Sequence, residues 1–214
     1  MMLSAAKGQE VLSRELVERW AGRFDAEFPP KYKQGEAQLK AWLQTQFREG
    51  RRYLDKPHFV DIARWKSQRP LPHYESNDGA LVREVSALAF AARRDDLRLR
   101  VLTLLNGVGV PVASTILHFA FPDKYPIMDI RAVTTLTRFG LWTGPDPAQP
   151  GFIGFDVEDW QVYVRLMREH ASRLGVTLRD LDKALWAFDK HGGADGAKAP
   201  SLLEADEATD GATD

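Results

Sequence analysis

Leu104-Leu105-Asn106-Gly107-Val108-Gly109-Val110-Pro111-Val112-Ala113-Ser114 decides how this chain is read. Apolar residues recur at helical spacing on both sides, so the segment joins two helices. Its glycines permit positive φ and let a partner approach the backbone closely. Pro111 suits the first turn of a helix, where its missing N–H costs nothing. The amides of that first turn, with the glycine turn before it, make a site for an anion such as a phosphodiester. A lone Gly-x-Gly is better read as an ordinary tight turn between helices, so its surroundings must decide.

Upstream, Val17, Trp20, Phe24 and Phe28 share one helical stripe that Pro29-Pro30 stops. Leu39, Trp42, Leu43 and Phe47 mark a second helix ending near Gly50, and Phe59, Ile62, Ala63 and Lys66 a third. Arg69 to Ser76, with Pro70 and Pro72, reads as a loop. Asn77 is expected to cap a helix whose stripe is Leu81, Val85, Leu88 and Ala91. Asp95-Asp96 opens the next, running to Leu105.

Downstream, Pro122 and Pro126 bracket a connector, and Asp129 caps the helix after it. Gly140 to Phe155 is a Pro/Gly-rich loop. Asp156 opens a helix through Trp160, Val164 and Met167 that Gly175 ends. Thr177-Leu178-Arg179-Asp180 resembles a capping box, with Asp for the usual Glu, before a last helix ending near Lys190. No strand alternation appears. The expected class is all-α, with eight to ten helices in one domain over residues 1–190.

The chain has 214 residues, 44% hydrophobic and 28% charged, enough to bury a core of its own. It has no cysteine, which excludes disulfides, thiolate metal sites, thiolate-held iron–sulfur clusters and a cysteine nucleophile. No apolar run approaches the ~20 residues of a membrane span, and Met1 to Glu10 lacks the apolar core of a secretory signal. A cytoplasmic protein is expected. Residues 191–214 hold six acids and one base, so a formal net charge of −1 leaves +4 on the rest. A basic body with an acidic tail, read as disordered, is compatible with a nucleic-acid partner.

With these surroundings, Leu104 to Leu136 resembles the hairpin region of the helix-hairpin-helix–GPD superfamily of DNA glycosylases, with Asn106 where the family has proline. The resemblance implies a two-lobed helical fold with the hairpin at residues 96–121. It also implies a catalytic aspartate at the start of the following helix, which here is Asp129. Gly107, Gly109 and the backbone of Val110 and Val112 would hold DNA, and Arg131, in the first turn after Asp129, would contact DNA or pair with an acid. Bifunctional members carry a lysine two residues after the second glycine, eighteen before the aspartate. That position is Pro111, which has no amine for a Schiff base.

The resemblance therefore implies a monofunctional enzyme acting on double-stranded DNA as a monomer, without cofactor or metal, and leaving an abasic site. Repair of damaged bases and defence against modified phage DNA are both open. The alternative is a non-catalytic DNA-binding protein that keeps only the hairpin. A carboxylate near C1′ stabilises the cationic sugar and orients water, whereas the plainer role of Asp129 is a helix cap. Trp65, Lys66 and Arg69 would line the cleft by stacking or phosphate contact; as plain structure they are a helix end with favoured cations. His118, Tyr163 and Trp186 read as core, and Asp180 as a cap.

Overall fold

The computed structural model describes residues 11–192, and among them the structure is all-helical. The helices are α1 (Arg14–Glu27), α2 (Pro30–Arg48), α3 (Lys56–Lys66), α4 (Leu71–Glu75), α5 (Gly79–Ala91), α6 (Asp95–Leu102), α7 (Val110–Ala120), α8 (Ile130–Arg138), α9 (Val157–Leu174) and α10 (Leu178–Lys190). The expected N-terminal and tail features lie outside the described residues, except His191 and Gly192. No described helix is long and apolar enough to cross a membrane.

Local chemistry sets the boundaries. Ser13, Asp55, Asp78, Asp129, Asp156 and Thr177 each cap a helix by accepting a first-turn amide. Asp156 and Asp159 form a reciprocal capping box. Gly175 closes α9 in the left-handed conformation. The double proline works twice, since Pro29 follows the end of α1 and Pro30 is the first residue of α2.

α7 lies at the centre, with every residue except Pro111 buried. α2, α3 and α6 pack against it, while α10 packs against α1, α8 and α9. One apolar core runs through both sets. A smaller cluster of Phe24, Trp186 and Ala187, with Trp20, Phe28 and Tyr32 against it, seals α1 and α2 onto α10.

Four expectations are corrected. The 69–76 segment contains the short helix α4, because Pro72 sits in its first turn and Tyr74 is buried beneath it. Asp78, not Asn77, caps α5; Asn77 is buried and turned to the hairpin. The buried face of α5 is Val82, Val85, Ser86, Ala89 and Phe90, leaving Leu81 and Leu88 42% and 62% exposed. Phe90 sets that phase by packing edge-on against Phe47 and Phe121. α6 also ends at Leu102, so the turn before α7 is longer than the sequence suggested.

Candidate active site

The turn from α6 to α7 is fixed from below by one side chain. Asn77 Nδ2 donates to the Asn106 carbonyl at 3.1 Å, and the Asn106 amide donates back to Asn77 Oδ1 at 2.8 Å. Gly107 has φ +80°, and a Cβ there would stand 2.9 Å from the Tyr74 ring, so glycine is needed on both counts. Gly109 differs: its φ is −89° and an added Cβ would meet only Pro111 Cδ at 3.9 Å. Positive φ, which the sequence allowed at both glycines, is therefore used only at Gly107, and the glycine at 109 leaves open access. Both glycines are exposed, and Gly109 leads directly into the first turn of α7.

α7 also positions the aspartate. Ser114 Oγ donates to the Pro111 carbonyl at 2.8 Å and accepts the Met128 amide at 2.9 Å. Tyr163 from α9 donates to the Ile127 carbonyl at 3.0 Å. Two anchors thus hold the extended connector that delivers Asp129 to the head of α8. Asp129 Oδ1 accepts the Arg131 amide at 2.9 Å, the bond of a helix cap.

Its other oxygen meets Lys66. Nζ lies 2.5 Å from Asp129 Oδ2, across 63 positions of sequence, with the two side chains 12% and 23% exposed. Burial alone pushes the Asp129 carboxyl up. The Lys66 charge and hydrogen bond, with the Arg131 amide, outweigh it and hold the carboxyl below its ordinary value. Asp129 is both cap and ion-pair partner, and it stays ionised.

Around this pair lies a charged cluster that sequence reading missed. Arg179 on α10 forks onto Glu36 of α2, with Nε and Nη2 at 3.0 and 2.8 Å from its two oxygens. Nη1 reaches Asp182 Oδ2 at 2.5 Å. Lys40 bonds Glu36 at 2.7 Å and His118 Nε2 at 2.9 Å. Burial raises the Glu36 carboxyl, but Arg179 and Lys40 outweigh it and bring it to about 2. Asp182 receives less help: burial dominates and its carboxyl rises to about 6. His118, enclosed and facing the Lys40 and Arg179 charges, falls to about 3. It is therefore neutral, donating from Nδ1 to the Tyr125 carbonyl at 2.7 Å, and belongs to the packing.

Aromatic rings cover the cluster. Tyr32 in the first turn of α2 stacks on Trp65 with centroids 5.0 Å apart and 21° between planes. Phe28 bridges Tyr32 and Trp186. Arg179 lies over Trp65 and Arg131 over Trp186. Trp65 Nε1 is buried without a hydrogen-bond partner among the described residues.

Of the residues singled out in the sequence, Asp129, Lys66 and Trp65 meet here. Arg131 contributes its amide to Asp129, while its guanidinium pairs with the buried Asp189 of α10 at 3.0 Å. That is the acid-pairing alternative, so a DNA contact for this side chain is not supported. Arg69 is exposed beyond the end of α3. Val110 and Val112 bury their side chains and offer only backbone. No group of three or more acids or histidines among the described residues could hold a metal.

A signal for the missed residues was present. Leu178, Leu181, Leu185 and Phe188 mark the buried stripe of α10, and Asp182 and Asp189 fall within it. Glu36 falls in line with Leu39 and Leu43 in the same way. A carboxylate inside an apolar stripe must find a buried cation, and Arg179 and Arg131 are those partners. Comparisons with protein-family models, with curated proteins and with solved structures gave no match.

Proposed function

We propose that the protein is a monofunctional DNA glycosylase, hydrolysing the N-glycosidic bond of a damaged or modified base. It acts as a monomer on duplex DNA in the cytoplasm, in base-excision repair or in defence against modified phage DNA. The observation that carries this reading is Asp129: a capped, ionised carboxylate, rigidly held, tied through Met128 and Ser114 to the helix that leaves the Gly107–Gly109 turn. In this reading the exposed turn and the α7 amides hold a phosphate. The target nucleotide is extruded toward Trp65, with unstacking offset by the contacts its base makes there. Asp129 stabilises the positive sugar and accepts a proton from the attacking water. Lys66 keeps the carboxylate charged and oriented.

Mass spectrometry of bases released from a panel of natural, damaged and phage-type modified duplexes tests the reading and names the base. Salt-dependent DNA binding with no base released from any duplex would leave the non-catalytic DNA-binding alternative. Hydrolysis leaves an intact strand with an abasic site, cleaved only after alkali, and borohydride traps no adduct. A trapped adduct that disappears in Lys66→Ala would instead make the Lys66 amine the nucleophile.

A further inference from the structure

We infer that Asp182 is the proton donor to the departing base, completing with Asp129 a pair of carboxyl groups in opposite protonation states. This rests on the glycosylase reading of Asp129 and assigns a second residue to the same site.

The argument starts from the unequal use of one guanidinium. Arg179 gives two hydrogen bonds to Glu36 and one to Asp182. Lys40 adds another to Glu36, whereas Lys66, whose charge also acts on Asp182, is bound to Asp129 instead. The Asp182 side chain is only 5% exposed and feels the Asp129 anion. The charged and titratable groups that act on it are Arg179 on its own helix, Tyr32 and, through Arg179, Glu36 from α2, Lys66 from α3, Asp129 at α8, and Tyr163 from α9. From α1, Asp25 pairs with Lys183. Glu36 thus takes Lys40 and two bonds of Arg179, Asp129 takes Lys66, and Asp182 alone has no cation of its own, only the remaining bond of Arg179. The proton shared by the cluster resides on Asp182, in keeping with its rise to about 6. Carboxyl groups driven apart in this way divide acid and base roles between them.

A flat ring already lies beside the cluster, on the Trp65 face that Arg179 also covers. Tyr32 stacks on Trp65, and its phenol is within the electrostatic influence of Asp129 and Asp182 alike. An extruded base that takes the place of the Tyr32 ring on Trp65 has Asp129 toward its sugar and Asp182 toward its edge. The step then balances. The C1′–N bond breaks and its electron pair goes to the base, which takes the Asp182 proton. Water bonds to C1′, and its proton goes to Asp129. A proton returns to Asp182 through the cluster, and the products are the free base and an abasic site.

The test is single-turnover excision between pH 5 and 9 by the wild type and Asp182→Asn. The probes are duplexes bearing uracil, hypoxanthine or 5-hydroxymethyluracil, which leave as anions unless protonated, and N7-methylguanine, which leaves without a proton. The wild-type rate on the first group falls as pH rises past about 6. Asp182→Asn slows it by about 10²-fold or more at pH 6 and flattens that fall, but spares N7-methylguanine release. Asp182→Glu restores part of the rate and the pH limb. Circular dichroism and melting check that each variant folds. The infrared band of a protonated carboxyl, present at pH 5 and lost in Asp182→Asn, reports the same group without turnover. Equal losses on both classes of base, an unaltered pH limb, or an ionised Asp182 at pH 5 would each overturn the inference. If the wild type releases no base while the infrared band is present, the glycosylase reading itself is wrong, and the donor role falls with it.

Discussion

The hairpin and the charged cluster are built in opposite ways. The Asn106–Val110 turn is a backbone structure with one positive φ, one asparagine clasp and no charged side chain. Its supports come from the adjoining α4 and Asn77, within about thirty residues. The cluster is made of side-chain charges gathered from α2, α3, α8 and α10, up to 143 positions apart. On the glycosylase reading, a turn that meets DNA backbone of any sequence needs only a shape and a few amides. A feature meant to control protons needs charges placed in low dielectric, and these come together only through the whole fold.

The strongest way to break the cluster is Arg179→Met. Glu36 then keeps only Lys40, Asp129 keeps Lys66, and Asp182 loses its hydrogen-bonded cation. Removing one member of a buried ionic group costs about 3–5 kcal/mol, read as a lowered urea midpoint. A loss below about 1 kcal/mol, the worth of a surface pair, would mean that water already screens these groups. Asp129→Asn is next. Asparagine keeps the capping oxygen but not the charge, so excision falls about 10²-fold or more while DNA affinity holds. Wild-type turnover in that variant would remove Asp129 from the chemistry.

The hairpin is sharpened by comparing its two glycines. Gly107→Ala forces a side chain into positive φ and against Tyr74, costing about 1–3 kcal/mol in a thermal melt. Gly109→Ala stays within about 0.5 kcal/mol, since its backbone suits any residue. A bulkier substitution at 109 lowers DNA affinity on every sequence and reduces the salt slope, with the melt unchanged. Equal stability losses at both positions would contradict the geometry.

The smallest effect is a pair of opposite pH dependences. Glu36 is lowered to about 2, so its contribution to stability is present above its ordinary value of 4.5 and fades as pH falls through the folded value. Asp182 is raised to about 6, so its contribution is present below 3.8 and fades as pH rises through 6. Relative to Glu36→Gln the wild type loses advantage on acidification; relative to Asp182→Asn it loses advantage between pH 4 and 6 on the way up. Parallel slopes in urea titrations would show that Arg179 treats the two carboxylates alike.

How far the sequence could be read follows the same division. Caps and prolines act within a few residues, so α1, α7, α8, α9 and α10 and the cap at Asp129 were legible from local chemistry. α5 was assigned the wrong face because its apolar residues support two phases one residue apart, and only packing by Phe90 against Phe47 and Phe121 chooses. α4 is a single turn whose prolines imitate a loop. Lys66 was marked for its neighbours, yet nothing along the chain could tell that its amine would reach Asp129 rather than a phosphate. Asp182 and Glu36 were visible as acids within apolar stripes, but their shared arginine was not.

The packing of α10 against α1 and α8 has a consequence during synthesis. The chain leaves the ribosome from its N-terminus, so the Gly107 turn and α7 emerge well before Arg179 and Asp182. The turn and α7 are available to fold while Glu36 still lacks its buried arginine and Asp182 has not been made. On the glycosylase reading, the turn and the Asp129–Lys66 pair are made before the arginine that completes the charged cluster, so the docking of α10 is the last step in building the site.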